Sequence, residues 1–272
     1  TRQITKAMKL VATVKLQRAK DRAEQSKPYF HKLYSTVQSI LARTSDLDHP
    51  YLRHRESRKK GILVITANRG LAGGYNNNIV KMVENAGFAK EDVSIYGVGK
   101  KGIEMLAHRG YHIEADESDI INDPLFSDAA RGGSRLLADY DSGKIGEIYL
   151  CYSYFKNTVD HEPRLWKLLP VDVDSFLKDH AGDEEAQTPM NYEPDAEEAL
   201  DMLIPGYINS IIYGAFIEAV ASENGARMQA MDSATSNAEE MIDDLTLKYN
   251  RARQGSITQE LTEIIAGAEA LS

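Results

Sequence analysis

By residue type and spacing, two glycine-rich turns are the places where chemistry could reside. GVGKKG (97–102) matches G-x-G-x-x-G, a pattern whose glycines let the backbone close on a pyrophosphate at the start of a helix. Asp116 and Glu117 follow within reach of the spacing of a ribose-binding acid. Used this way, Gly97, Gly99 and Gly102 would make the chain a Rossmann-type dinucleotide-binding protein. ANRGLAGGYNNN (67–78) lies after an apolar run and before a helical one, where α/β folds also bind phosphate, but it lacks the Lys-Ser/Thr of a P-loop. The first motif sits on the second strand of its unit, whereas the dinucleotide fingerprint belongs on the first. A tight structural turn asks for the same glycines, so both readings stay open.

The remaining reactive side chains have no catalytic spacing. The seven histidines make no HExxH or similar ligand pair, and no serine occupies a G-x-S-x-G elbow. Cys151 falls within an apolar strand pattern and reads as core. A single cysteine also excludes a disulfide scaffold and a cysteine-rich zinc site. No catalytic, cofactor-binding or metal-binding residue is therefore expected. The acidic stretch 172–198, with ten acids and one lysine, has no ligand spacing either and reads as a linker or surface excursion.

The elements around these turns change period along the chain. From Ile4 the apolar residues Ile4, Met8, Val11 and Val14 recur at helical spacing, and Ala7, Leu10, Ala12 and Leu16 widen the stripe almost all round, which predicts a helix with more than one neighbour. Pro28 is expected to kink or loosen it. Between 61 and 170, GILVIT (61–66) and VSIYGVG (93–99) read as strands, each followed by a helix (78–90 and 100–109), as in parallel βαβ units. A further helix runs over 124–140. EIYLCYSYF (147–155) and RLWKLLPV (164–171) read as two strands joined by a turn, the first apolar on both faces and so central in the sheet.

From about 195 the pattern is helical to the end. Met231, Ala234, Ala238, Met241 and Leu245, then Ile257, Leu261, Ile264, Ala268 and Leu271, repeat at threes and fours. The predicted organisation is an N-terminal coiled-coil helix (1–57), an α/β domain (58–171), an acidic linker with the start of the C-terminal helical region (172–205) and a C-terminal coiled-coil helix (206–272). No uninterrupted apolar run reaches the ~20 residues of a membrane helix, so direct membrane insertion is not expected. The chain opens inside a helical pattern without an initiator methionine, so an upstream piece is expected.

Charge and length join the two ends. Residues 1–32 carry nine Lys/Arg against two acids, and residues 216–272 ten acids against four Lys/Arg, within a chain of net charge -9. Helices of opposite sign attract, which favours their lying side by side. Nucleic acid is the other partner for a basic arm, but no aromatic precedes Tyr29 to stack on bases, so none is expected. A compact body of this length would span ~50 Å, whereas 65 helical residues reach ~95 Å. The terminal helices must protrude, and their spare apolar surface must be covered by something else.

Three segments carry a resemblance to a known family. TRQITKAMKLVATVKLQRA (1–19), ITANRGLAGGYNNNI (65–79) and the stretch 226–271, ARMQAMDSATSNAEEM onward, resemble in order the shaft, the domain start and the C-terminal helix of the gamma subunit of rotary F-type ATP synthase, bacterial type. The resemblance implies an α/β chain in which a long antiparallel coiled coil of N- and C-terminal helices carries a Rossmann-like domain. It implies a central rotor shaft that couples ion-driven rotation to conformational change at the catalytic sites of beta subunits without catalysis of its own. The partners it implies are the alpha and beta subunits of the catalytic ring, the epsilon subunit and the membrane c ring. By motif position Arg253 and Gln254 resemble the pair that meets the beta catch loop, Met8 and Lys9 lie where the shaft passes an acidic lever of beta, and Tyr192 resembles a foot residue facing the c ring. The implied location is the cytoplasmic face of the cell membrane, held peripherally through the complex. No inserted cysteine pair is present, unlike the thiol-regulated chloroplast form.

Overall fold

The computed structural model describes residues 2–43, 49–172 and 196–269. Its strands are β1 (Lys60–Ile65), β2 (Val93–Val98), β3 (His112–Asp116), β4 (Glu147–Phe155) and β5 (His161–Leu169). They form one sheet in the order β3-β2-β1-β4-β5, parallel except for β5, which closes one edge antiparallel to β4. Its helices are α1 (Arg2–Arg43), α2 (Tyr75–Glu84), α3 (Lys100–His108), α4 (Phe126–Asp141) and α5 (Ala196–Glu269).

The alternation of side chains along each strand builds two apolar layers. Ile62 and Val64 of β1 join Ile79, Val83 and Leu106 from α2 and α3 on one face. Leu63 and Ile65 join Leu136 and Tyr140 of α4 and Ile208, Ile212 and Phe216 of α5 on the other. Burial on both faces is why these strands read as continuous apolar runs. β4 is interior, as its composition predicts, but β1 holds the centre. β3 is the strand that the sequence does not announce: His112–Asp116 has one buried residue in five and so no apolar run.

α1 continues through Pro28 as a single helix. An interior proline forfeits a backbone hydrogen bond at a cost of roughly 3 kcal/mol. Packing just beyond it offsets that loss, with Phe30 and Tyr34 against Tyr207 of α5 at ring-centroid separations of 6.2 and 6.1 Å.

α5 binds the shaft to the sheet. A Cβ on Gly133 of α4 would fall 2.0 Å from Asn209 Oδ1, so the two helices meet at a distance only glycine allows. Ser222 Oγ donates to the Ser153 carbonyl of β4 at 2.9 Å, and Tyr75 donates to the Ala219 carbonyl at 3.2 Å. One stretch of α5 is long and apolar enough to cross a membrane by composition, yet 56% of it is buried within the molecule.

Within that buried half, burial pushes the Glu218 carboxyl up to about 7, and the Tyr152 hydroxyl, Arg164 and Lys27 pull it back only in part. Unfolded, the same group titrates near 4.5. The folded chain therefore holds the extra proton between these values, and stability from this group falls as pH rises through that window. Glu218→Gln is expected to add roughly 2–3 kcal/mol at about pH 8 and to flatten the dependence on pH below it, as read from urea unfolding at several pH values.

Candidate functional site

The geometry of function lies in the contact between α1 and α5. Arg2 faces Glu239 at 3.8 Å, Thr5 meets Thr235 at 2.7 Å and Lys9 meets Asp232 at 2.5 Å. Farther along, Leu16 and Ala19 pack with Ile217 and Ala221. Numbers rise on one helix as they fall on the other, so the pair is antiparallel. The attraction between basic and acidic ends is realised in Arg2–Glu239 and Lys9–Asp232; each bridge is half exposed and is worth at most ~1 kcal/mol.

The seam itself differs from the predicted one. Thr5, Ala12, Leu16 and Ala19 are buried, at spacings of seven, four and three, while Ile4, Leu10, Val11 and Val14 are 54 to 66% exposed. Small side chains let the helices approach closely, and the large aliphatic ones are left facing outward. At this level α5 is the one helix packed on α1 among the described residues, and the wide apolar stripe has no second there.

Beyond Glu239 no described residue of α1 lies beside α5. Every residue from 239 to 268 is exposed, including Met241 at 66%, Leu245 at 63%, Leu261 at 55% and Ile264 at 68%. The bare part, about 30 residues, extends ~45 Å of an α5 that is ~110 Å long. Arg253 and Gln254 sit here, exposed and, among the described residues, without a hydrogen bond or ion pair. Tyr192 lies outside the described residues.

Where the shaft enters the body, α1, α5 and the turn 68–71 enclose a groove of about 850 Å³. Met8 lines it, half-buried, beside Ile4 and Val11. Lys9 is turned aside to Asp232. The cations that face the groove are Lys15, Arg18, Arg22, Arg69 and Arg227. Arg22 is held by Asp123 at 2.5 Å and Arg227 by Glu223 at 2.6 Å, which leaves Lys15, Arg18 and Arg69 without an ion pair among the described residues. Leu71 tops the groove, 66% exposed and at a φ of 62°, a left-handed conformation that costs a branched side chain on the order of 1 kcal/mol. The sequence count of basic residues contains Lys15 and Arg18, but their facing depends on the seam, and Arg69 joins them only through the fold.

The glycine turns are filled by the chain itself. A Cβ on Gly99 would lie 2.0 Å from the Thr66 carbonyl oxygen, on Gly102 2.5 Å from Thr66 Oγ1, and on Gly97 2.2 Å from Ile103. The N–H groups that open α3 are also taken. Lys100 donates to Asn68 Oδ1 at 2.9 Å, Lys101 to the Ala67 carbonyl at 3.0 Å and Gly102 to Thr66 Oγ1 at 2.9 Å. A phosphate would have to displace these bonds, so the Rossmann reading is not favoured. The first turn is closed likewise by Asn76 Oδ1, which accepts the Ala67 N–H at 2.9 Å. Cys151 is buried, and burial pushes its thiol up to about 12.

A sequence model described as ATP synthase matches residues 1–271. An ATP synthase gamma chain of Lachnoclostridium phytofermentans is 60% identical over all of this chain and 94% of its own length. The chain belongs to the ATP synthase gamma-chain family. A relative from Acetobacterium woodii, named as the sodium ion specific ATP synthase gamma chain, is 39% identical over all of this chain and 94% of its own length. Among solved structures, the central stalk and c-ring of the Tetrahymena thermophila mitochondrial ATP synthase contains a chain with TM-score 0.62 at 23% identity, covering 85% of this chain and 99% of that one. A chain of the Euglena gracilis mitochondrial enzyme has TM-score 0.59 at 19% identity, covering 97% and 95%. The likeness in fold to these ATP synthase chains agrees with the family.

Because Gly99 has a φ of 101° and Thr66 stands against it, Gly99→Ala is expected to lower stability by roughly 2–4 kcal/mol in urea unfolding. The wild-type chain is expected to show no NADH affinity that Gly99→Ala removes.

Proposed function

We propose that this chain turns as the non-catalytic rotor of its synthase, with the bare half of α5 inside a ring of three alpha and three beta subunits. The observation that carries this reading is the ~45 Å of helix whose apolar residues have no cover among the described residues. A sleeve around the tip would bury Leu261 and Ile264, while Arg253 and Gln254 meet the beta catch loop. The neck would receive an acidic segment of beta: Met8 supplies an apolar contact and Lys15, Arg18 and Arg69 the charge, with Lys9 acting through its bridge to Asp232. The sheet domain would serve as a plate between shaft and membrane, meeting epsilon and the c ring, with Tyr192 at the ring. Such a chain is held peripherally at the cytoplasmic face of the cell membrane. On this reading residues 58–171 form the domain, 1–57 and 206–272 the coil, and 172–205 the acidic link.

Coupling follows from asymmetry. Three equal beta subunits can differ in affinity for ADP, phosphate and ATP only through differential contact with something unequal. The shaft supplies it, because a basic groove lies on one side of the neck and the two helices present different side chains around the axis. Rotation then moves the same set of contacts from site to site. No nucleotide need bind the rotor.

Co-purification tests the reading. A complex with alpha and beta in a 3:3:1 ratio is expected, and a chain that stays a monomer beside alpha and beta would contradict it. Arg253→Ala is expected to lower ATP turnover of the complex by about tenfold with assembly intact, by loss of one charged contact worth ~1.4 kcal/mol; unchanged hydrolysis and synthesis rates would remove that role.

A further inference from the structure

A second, separate cavity of about 210 Å³ opens beside the shaft, between α1, α5 and the antiparallel edge of the sheet. Its mouth is aromatic: Tyr29 is 56% exposed, Phe126 41% and Trp166 41%. Tyr29 meets Phe126 edge to face at 6.1 Å, and Phe126 meets Tyr213 at 5.8 Å, so the rings are braced against each other. The polar groups lie on one face of α5, where Ser210, Gly214 and Glu218 are four residues apart. Ser210 is 5% exposed, and both its Oγ and Glu218 Oε2 are buried with no hydrogen-bond partner among the described residues.

These unmet groups define what would fit. An unpaired buried carboxylate oxygen is costly, and a cation with hydrogen-bond donors is the partner that relieves it. Aromatic faces attract the same cation and accept an apolar stem. An apolar side chain would leave both oxygens unmet, and an anion would be repelled. The chain's own cations are not in place: Arg164 is bound to Glu162 at 3.0 Å and stacked on Tyr154 at 3.6 Å, and Lys27 lies at the rim without an ion pair to Glu218 among the described residues. The volume is below the ~300–1,000 Å³ of sites for small molecules and suits one long side chain. Trp and Tyr around a desolvated pocket are also the composition of interface anchors.

We propose that this cavity is the socket for a lysine or arginine side chain of an adjoining subunit, whose stem lies along Tyr29 and Trp166 and whose charged head binds Glu218 and Ser210. The proposal rests on the reading of the chain as a subunit packed within a larger complex. It adds an anchor beside the sheet, distinct from the neck groove and from the bare tip.

Gly214 supplies the test, because a Cβ there meets nothing within 4 Å. Gly214→Leu sets its Cβ in open space and narrows the socket, and it replaces a helix glycine with a better helix former, which favours the fold. The photo-reactive p-benzoylphenylalanine is placed at Tyr29 of the full chain, the whole synthase is purified, irradiated and digested, and the adducts are sequenced by mass spectrometry. The expected result is an adduct to one partner peptide with a lysine or arginine at the site. Its yield should fall by at least about tenfold with Gly214→Leu and severalfold with Glu218→Gln. An assembled complex with no partner adduct, an adduct to Lys27 of the same chain, a peptide without a basic residue, or a yield indifferent to Gly214→Leu would overturn the socket and leave the rotor intact. Failure of the unmodified chain to assemble with alpha and beta would instead remove the rotor reading and the socket with it.

Discussion

One helix serves two purposes in this molecule, and the rest of the structure follows from that constraint. The first half of α5 is a core element, buried on α4 and the sheet and tied to β4 and α2 by Ser222 and Tyr75. Its second half leaves the body with no interruption of the helix. A load applied to the tip therefore reaches the sheet through continuous helical hydrogen bonds and close side-chain packing, with no hinge between them. α1 braces the junction: its buried seam of small residues lets it lie close to α5, and aromatic stacking carries the contact past Pro28.

The same constraint sets the division of labour among the side chains. Because Thr5, Ala12 and Ala19 are spent on close approach, Ile4, Leu10, Val11 and Val14 face outward, uncovered by any described residue. Because Lys9 and Arg2 are spent on Asp232 and Glu239, the neck's unpaired cations among the described residues include Lys15, Arg18 and Arg69 around the groove, and Arg253 lies exposed farther along α5. The glycine motifs fall under the same logic. Their freedom is used to bring β1, β2 and α3 together over Thr66, and the helix N-terminus that might have held a phosphate is closed by Asn68 and Thr66.

Much of this was legible in the residues. Four strands, the three domain helices and the long final helix are signalled by period and by the glycines between them, and the length of the last helix already requires protrusion. What stayed hidden has physical reasons. A stripe that is apolar nearly all round does not reveal its buried edge, so the seam of α1 could not be phased. β3 is a short edge strand with one buried residue and leaves no pattern. GVGKKG carries the same letters whether the close neighbour is a pyrophosphate or Thr66, and only the fold distinguishes them. The family resemblance gave Met8, Lys9, Arg253, Gln254 and Tyr192 by position. The pairing of Lys9 and the exposure of Arg253 come from the structure.

The central claim is that α1 and α5 turn as one body. Thr5 and Thr235, whose hydroxyls meet at 2.7 Å, allow it to be tested by replacing both with cysteine and oxidising the assembled complex. The buried Cys151 does not compete for the bond. Locked and reduced complexes are predicted to hydrolyse ATP at the same rate. A large loss on oxidation, restored by reductant, would show that the two helices must move against each other and would contradict the account.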